Sequence, residues 1–232
     1  MANVNNYLWL LRYHLNIFRL AKKKQRSDFM QEVTLDEVER LAENAREELW
    51  DEAAVLGREP KLYLHWTAGK YETAFPDYHI NITGDGRIMV STTCFAKTLS
   101  HTWRRNTGAI GIALCACYGA TSNDLGDYAP TARQIEVMAQ VIDRVATALW
   151  LTINKQNVLT HGEAANNEDG LCVHPCYAWW NDEEGDGDTR GDLEFLGTPE
   201  SPKYNPYAID GSRGGDVLRG KANWYKNERG AK

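Results

Sequence analysis

Apolar residues recur at helical spacing in three stretches of the chain and form five shorter runs between and after them. Leu8, Leu11, Leu15 and Phe18 lie on one side of residues 5–25, opposite a basic side, and predict a first helix. A second is predicted from Thr34 to Leu56. Its buried stripe is Leu35, Val38, Leu41, Ala45 and Leu49; Thr34 with Glu37 matches a capping box, and Gly57 and Pro60 end it. The third runs from Thr131 to Leu151, opened by Pro130 and Thr131, with Ile135, Met138, Ile142, Val145 and Leu149 facing inward.

The short runs read as strands. They are Leu62 to His65, Tyr78 to Ile82, Arg87 to Ser91, Ile110 to Cys117 and Val158 to Thr160. Thr83-Gly84-Asp85-Gly86 between the second and third is a hairpin signal. The fourth is apolar on both faces, which suits a central position. Residues 162–190 are rich in Gly, Asn, Asp and Glu and read as a long loop; after Phe195 the chain is punctuated by Pro and Gly, with a short apolar piece near Val217 and Trp224-Tyr225. The expected organisation is an N-terminal helical extension over 1–60, a main domain over 61–198 and a C-terminal tail over 199–232 packed on that domain.

Charge changes this picture locally. The net charge of −6 argues against nucleic acid as a partner. Arg12, Arg19, Lys22, Lys23, Lys24 and Arg26 nonetheless give the first helix a basic face, which would suit weak association with an anionic surface. Asp182, Glu183, Glu184, Asp186, Asp188, Asp192 and Glu194 make an acidic stretch. Its opening resembles a calcium loop, but the twelfth position is Leu193 where a bidentate glutamate belongs, so a solvated acidic loop is the reading.

No apolar run approaches the roughly 20 residues that span a bilayer. The N-terminus does not read as a signal peptide, because Arg12, His14, Asn16 and Arg19 interrupt its apolar residues, and the expectation is synthesis in the cytoplasm. Five cysteines, an odd number, fit a reducing compartment. Cys172, His174 and Cys176 could hold a metal, close a small disulfide loop or remain free thiols. Oligomeric state is not legible.

His65 and His161 each follow directly on a short apolar strand, where loops place site residues, and Asp192 lies further on. Two imidazoles and a carboxylate are a common zinc set, with a fourth position left for water.

The residues around them resemble the zinc-dependent N-acetylmuramoyl-L-alanine amidases, the family of phage amidase lysozymes and peptidoglycan recognition proteins. The similar blocks occur in order: Leu64-His65-Trp66-Thr67-Ala68; Tyr78-His79-Ile80-Asn81-Ile82 with Gly84-Asp85-Gly86-Arg87-Ile88; His101 with Asn106-Thr107-Gly108-Ala109-Ile110-Gly111-Ile112; Pro130-Thr131 with Gln134; Thr160-His161-Gly162-Glu163; and Thr189-Arg190-Gly191-Asp192-Leu193. The resemblance covers residues 61–197. It implies an α/β fold, a mixed central sheet flanked by helices with the metal at one end. It implies Zn2+ on His65, His161 and Asp192, and hydrolysis of the amide between N-acetylmuramic acid and L-alanine.

The resemblance also implies roles. Tyr78 would donate to the oxyanion or orient the water, Arg190 would add positive charge, and Glu163 would be a general base, a support beside its ligand or a solvated carboxylate. Trp66, His101 and Asn106 would contact peptidoglycan or muropeptide substrate. His79 should serve the core or the sheet face, and His14 should be an exposed helix residue.

Three departures stand out. Ala113 occupies a position where many intracellular members carry glutamate. Arg190 replaces a lysine and, always charged, cannot act as an acid. Asp192 lies 31 residues after His161, a long gap that leaves Asp188 as a rival ligand. The expected role is a wall-lytic enzyme of endolysin or prophage type, against two alternatives: cytoplasmic muropeptide recycling, and peptidoglycan binding without cleavage.

Overall fold

A computed structural model describes residues 30–121, 124–171 and 192–231. Six strands form one mixed sheet: β1 (Gln31–Val33), β2 (Lys61–Trp66), β3 (Ile80–Ile82), β4 (Ile88–Val90), β5 (Ala109–Leu114) and β6 (Val158–Thr160). Their order across the sheet is β1-β4-β3-β5-β2-β6. β3, β5, β2 and β6 run parallel; β4 pairs antiparallel with β3, and β1 pairs antiparallel with β4. The helices are α1 (Leu35–Val55), α2 (Ala132–Ala148), α3 (His161–Ala165) and α4 (Gly214–Gly230). This is an α/β architecture, a mixed sheet flanked by helices.

β2 and β5 are buried along their whole length and pair from Lys61 with Ala109 to Trp66 with Leu114. Side chains alternate across a strand, so these two strands serve two faces. Leu62, Leu64, Ile110, Ile112 and Val158 enter the main core with Val38, Leu41, Leu49, Ile135, Met138 and Ile142 of the helices. Tyr63, Ala109, Leu159 and Ala164 form a small second cluster. His65, two residues after Tyr63, therefore belongs to the second face, away from the main core.

Local signals set the helix starts. Thr34 and Thr131 both form complete capping boxes, with Glu37 and Gln134 respectively. Gln134 is also fully buried and donates to the Ile82 and Cys115 carbonyls at 2.9 and 3.0 Å, fastening α2 to the last residue of β3 and the residue after β5.

Residues 31–55 belong to the same sheet and core, not to a separate extension. β1 pairs with β4, Val38 and Leu49 are buried, and Trp50 Nε1 donates to the Leu149 carbonyl at 2.8 Å. The C-terminal stretch, legible in sequence only as a punctuated tail, forms the 17-residue α4, which packs on α2. The long loop begins later than its composition suggests, because His161–Ala165 is helical. The basic helix over 5–25, His14, the Cys172-His174-Cys176 group, the acidic residues 182–188 and Arg190 lie outside the described residues. No described helix is long and apolar enough to cross a membrane.

Candidate metal centre

The last residues of β2 and the turn after β6 bring three donors together. His65 is the fifth residue of β2, and its partner across the ladder is Ala113. His161 opens α3 directly after β6. Thr160 caps that helix, its hydroxyl accepting from Glu163 N while the Glu163 side chain accepts from Thr160 N. Asp192 lies in a tight turn whose next residue, Leu193, takes a left-handed conformation at φ 59°. Such a backbone is strained for a branched residue and persists only where the surroundings enforce it.

His65 Nδ1 and His161 Nδ1 are 3.1 Å apart, and they lie 3.4 and 2.9 Å from Asp192 Oδ2. All three residues are buried. Zinc bonds of about 2.0–2.1 Å in tetrahedral array separate the donors by about 3.3–3.4 Å. The triad therefore fits a small divalent cation such as zinc. Among the described residues it is the one group of three or more such side chains with geometry to hold a metal.

The protonation states suit this. Burial pushes the His65 imidazole down to about 4, against the opposing pull of Asp192, so it is neutral near pH 7. Burial pushes the Asp192 carboxyl up, but hydrogen bonds and charge from His161 and His65 outweigh it and hold the group below its ordinary value. A neutral imidazole and an ionised carboxylate are the forms that coordinate metals.

Neighbouring groups aim these donors. Asp192 Oδ1 accepts the Trp66 backbone N–H at 2.6 Å, leaving Oδ2 toward the imidazoles. His65 Nε2 is 3.3 Å from Thr102 Oγ1, which is 2.9 Å from His101 Nδ1. With His65 Nδ1 directed at a metal, its Nε2–H donates to the threonine, and the threonine hydroxyl donates to His101. That order leaves the His101 proton on Nε2, a buried atom with no hydrogen-bond partner among the described residues. The His101 ring lies over β5: a Cβ at Gly111 would stand 2.6 Å from its Cγ.

The triad opens into a cleft of about 660 Å³ whose lining includes Trp66, Asp77, Tyr78, His101, Asn106, His161 and Asp192. Tyr78 donates to the Trp66 carbonyl at 3.4 Å, and its ring lies 5.0 Å from that of His65. Burial, helped by Asp192 and Asp77, raises the phenol above its ordinary value, so it stays a donor. Trp66 is a buried wall residue. Asn106 shapes the cleft loop, its Oδ1 accepting from His101 N and Thr102 N at 3.2 and 2.7 Å.

Glu163 is placed differently from a cleft base. It is fully buried, does not line the cleft, and both its oxygens pair with Arg219 at 2.7 and 2.8 Å. His79 is a core residue, donating through Nε2 to the Lys97 carbonyl and accepting the Gly111 N–H at Nδ1. Thr102 and Asp77 carry no motif and were not legible as site residues.

A family model for N-acetylmuramoyl-L-alanine amidase matches residues 53–175. The chain belongs to this amidase family. Searches of curated proteins and of solved structures returned no match. The protein is thus a hydrolase of the peptidoglycan amidase type, and the matched region carries His65 and His161. Asp192 stands beyond it, joined to the site by the geometry above. Two imidazoles and a carboxylate converge there in the described structure.

Proposed function

We propose that the chain is a zinc-dependent amidase that hydrolyses the bond between N-acetylmuramic acid and the L-alanine of the stem peptide in intact wall. The observation that carries this reading is the mutual spacing of three donors, 2.9–3.4 Å, at the foot of a cleft. His65, His161 and Asp192 would hold the ion. Zinc held there supplies a Lewis acid for the carbonyl and acidifies water.

The chain's own groups do the rest. Tyr78, a neutral phenol beside His65, donates a hydrogen bond to the oxygen that gains charge as the carbonyl becomes tetrahedral. Arg190, outside the described residues, would add fixed positive charge. Asp77 is the cleft's one carboxylate besides Asp192 among the described lining residues, so it, not Glu163, is the base assigned to the proton. His101, which lines the cleft, is assigned to substrate contact. Trp66 and Asn106 shape the wall against which the sugar and peptide lie.

Ala113 favours the wall-lytic role over muropeptide recycling. It is buried next to His65 in the β2–β5 ladder, where many intracellular members of the family carry glutamate. The test pairs metal analysis with two substrates, purified sacculi and soluble anhydro-muropeptides. Chelator-sensitive release of new N-terminal alanine from sacculi is expected. Release from the soluble substrate alone would favour recycling, and none from either by zinc-loaded protein would leave the binding-module reading.

A further inference from the structure

Two arginines of the C-terminal segment reach the two ligand-bearing turns in the same way. Glu163 stands two residues after His161, and Glu194 two residues after Asp192. Their exposures are 0% and 1%. Arg219, within α4, grips Glu163 through both guanidinium ends at 2.7 and 2.8 Å. Arg213, at the N-cap of α4, grips Glu194 at 3.0 and 2.9 Å.

Further bonds tie the two grips together. Arg213 also holds Glu168, just beyond α3, at 2.9 and 3.1 Å. The Thr160 hydroxyl donates to Glu194 at 3.3 Å, and Gly214 N donates to the Glu194 carbonyl at 2.9 Å. The packing is tight enough that a Cβ on Gly214 would lie 2.1 Å from the Leu193 carbonyl oxygen. A buried carboxylate must be paired, and a two-pronged arginine pair fixes direction as well as distance.

We infer that Arg213 and Arg219 are positioning residues for the metal centre: they clamp the His161 turn and the Asp192 turn to one helix and so set the spacing of those two donors. The strained Leu193 backbone is held between the ligand and its clamp. Arg213, Arg219 and Glu194 lie beyond residues 53–175, so the family match does not supply them; Glu163 and Glu168 lie within it. The inference rests on His161 and Asp192 being the ligands.

The test is zinc affinity by chelator competition on the full chain, with kcat and KM, for Arg213→Lys, Arg219→Lys and Arg229→Lys. Lysine keeps the charge and loses the fork. Arg229 is the control, since it anchors the same helix to Asp143 at 2.9 Å without touching either ligand turn. Arg213→Lys and Arg219→Lys should each weaken zinc binding by about 10–100-fold and alter the visible spectrum of the cobalt-substituted protein. Arg229→Lys should leave both unchanged.

Wild-type zinc affinity in the first two variants, or equal weakening in the third, would overturn the inference. If a lysine variant fails to fold, Glu194→Gln is judged by the same criteria. A wild-type chain that binds no zinc would instead overturn the ligand assignment, and the inference with it.

Discussion

Asp192 and Trp66 are joined by one short bond: the carboxylate Oδ1 accepts the Trp66 backbone N–H at 2.6 Å. Trp66 follows His65 in β2, so the third donor is fastened to the strand that carries the first. The bond occupies one oxygen and presents the other, which is why a turn 126 residues away in sequence can complete the site.

Asp192→Ala should therefore abolish stoichiometric zinc, and His65→Ala should do the same. Asp188→Ala should not. Metal analysis of the three purified variants checks this directly. Zinc lost on Asp188→Ala and kept on Asp192→Ala would replace the third ligand.

Tyr78→Phe removes one hydroxyl and leaves the ring against His65. If that hydroxyl serves the charged oxygen, kcat should fall by about 10²–10³-fold, the usual cost of one such donor, with KM and zinc content little changed. Steady-state kinetics on a soluble muramoyl peptide separate the two parameters. A KM effect alone would move Tyr78 from the reaction to substrate binding.

Asp77 and Glu163 should give opposite signatures. Asp77→Asn should lower kcat by about 10²-fold or more and leave zinc affinity intact, as expected of a cleft base. Glu163→Gln should weaken zinc binding, because the Glu163 side chain completes the capping box of the helix that begins at His161 and pairs with Arg219. Measuring zinc affinity and kcat on both variants decides the assignment; an Asp77→Asn enzyme with wild-type kcat would remove Asp77 from the proton path.

What could be read from residues alone follows a physical line. His65 and His161 were legible because each ends an apolar run, and the order of blocks tied them together. The capping boxes at Thr34 and Thr131 were legible because they are local. Thr102 was not: a lone threonine beside a histidine carries no pattern, and its role exists only once β5 and the cleft loop meet. α4 was hidden because Gly214, Gly215 and Gly220 and a thin apolar stripe give little helical signal. Its anchors are the buried Leu218 and Ala222 and arginines whose partners lie far away in sequence. Strand β1 was missed because only Val33 of its three residues is buried.

His79 gives a pH dependence separate from the ligands. Burial pushes its imidazole down to about 4, although its bond to the Lys97 carbonyl opposes this. Its Nδ1 accepts from Gly111 N at 3.1 Å, a bond that protonation would break. The folded value lies below the ordinary 6.5, so the unfolded chain takes the proton first as pH falls. This contribution to stability is complete above about pH 6.5, declines toward about pH 4 and amounts to about 3 kcal/mol over that window. Urea unfolding of chelator-treated protein at several pH values between 7 and 4 should show the decline. His65 and His101, also held below their ordinary value, add to it with the same sign. His79→Gln should lower stability at pH 7 and flatten the slope by about one proton. An unchanged slope would mean that the imidazole titrates alike in the folded and unfolded chain.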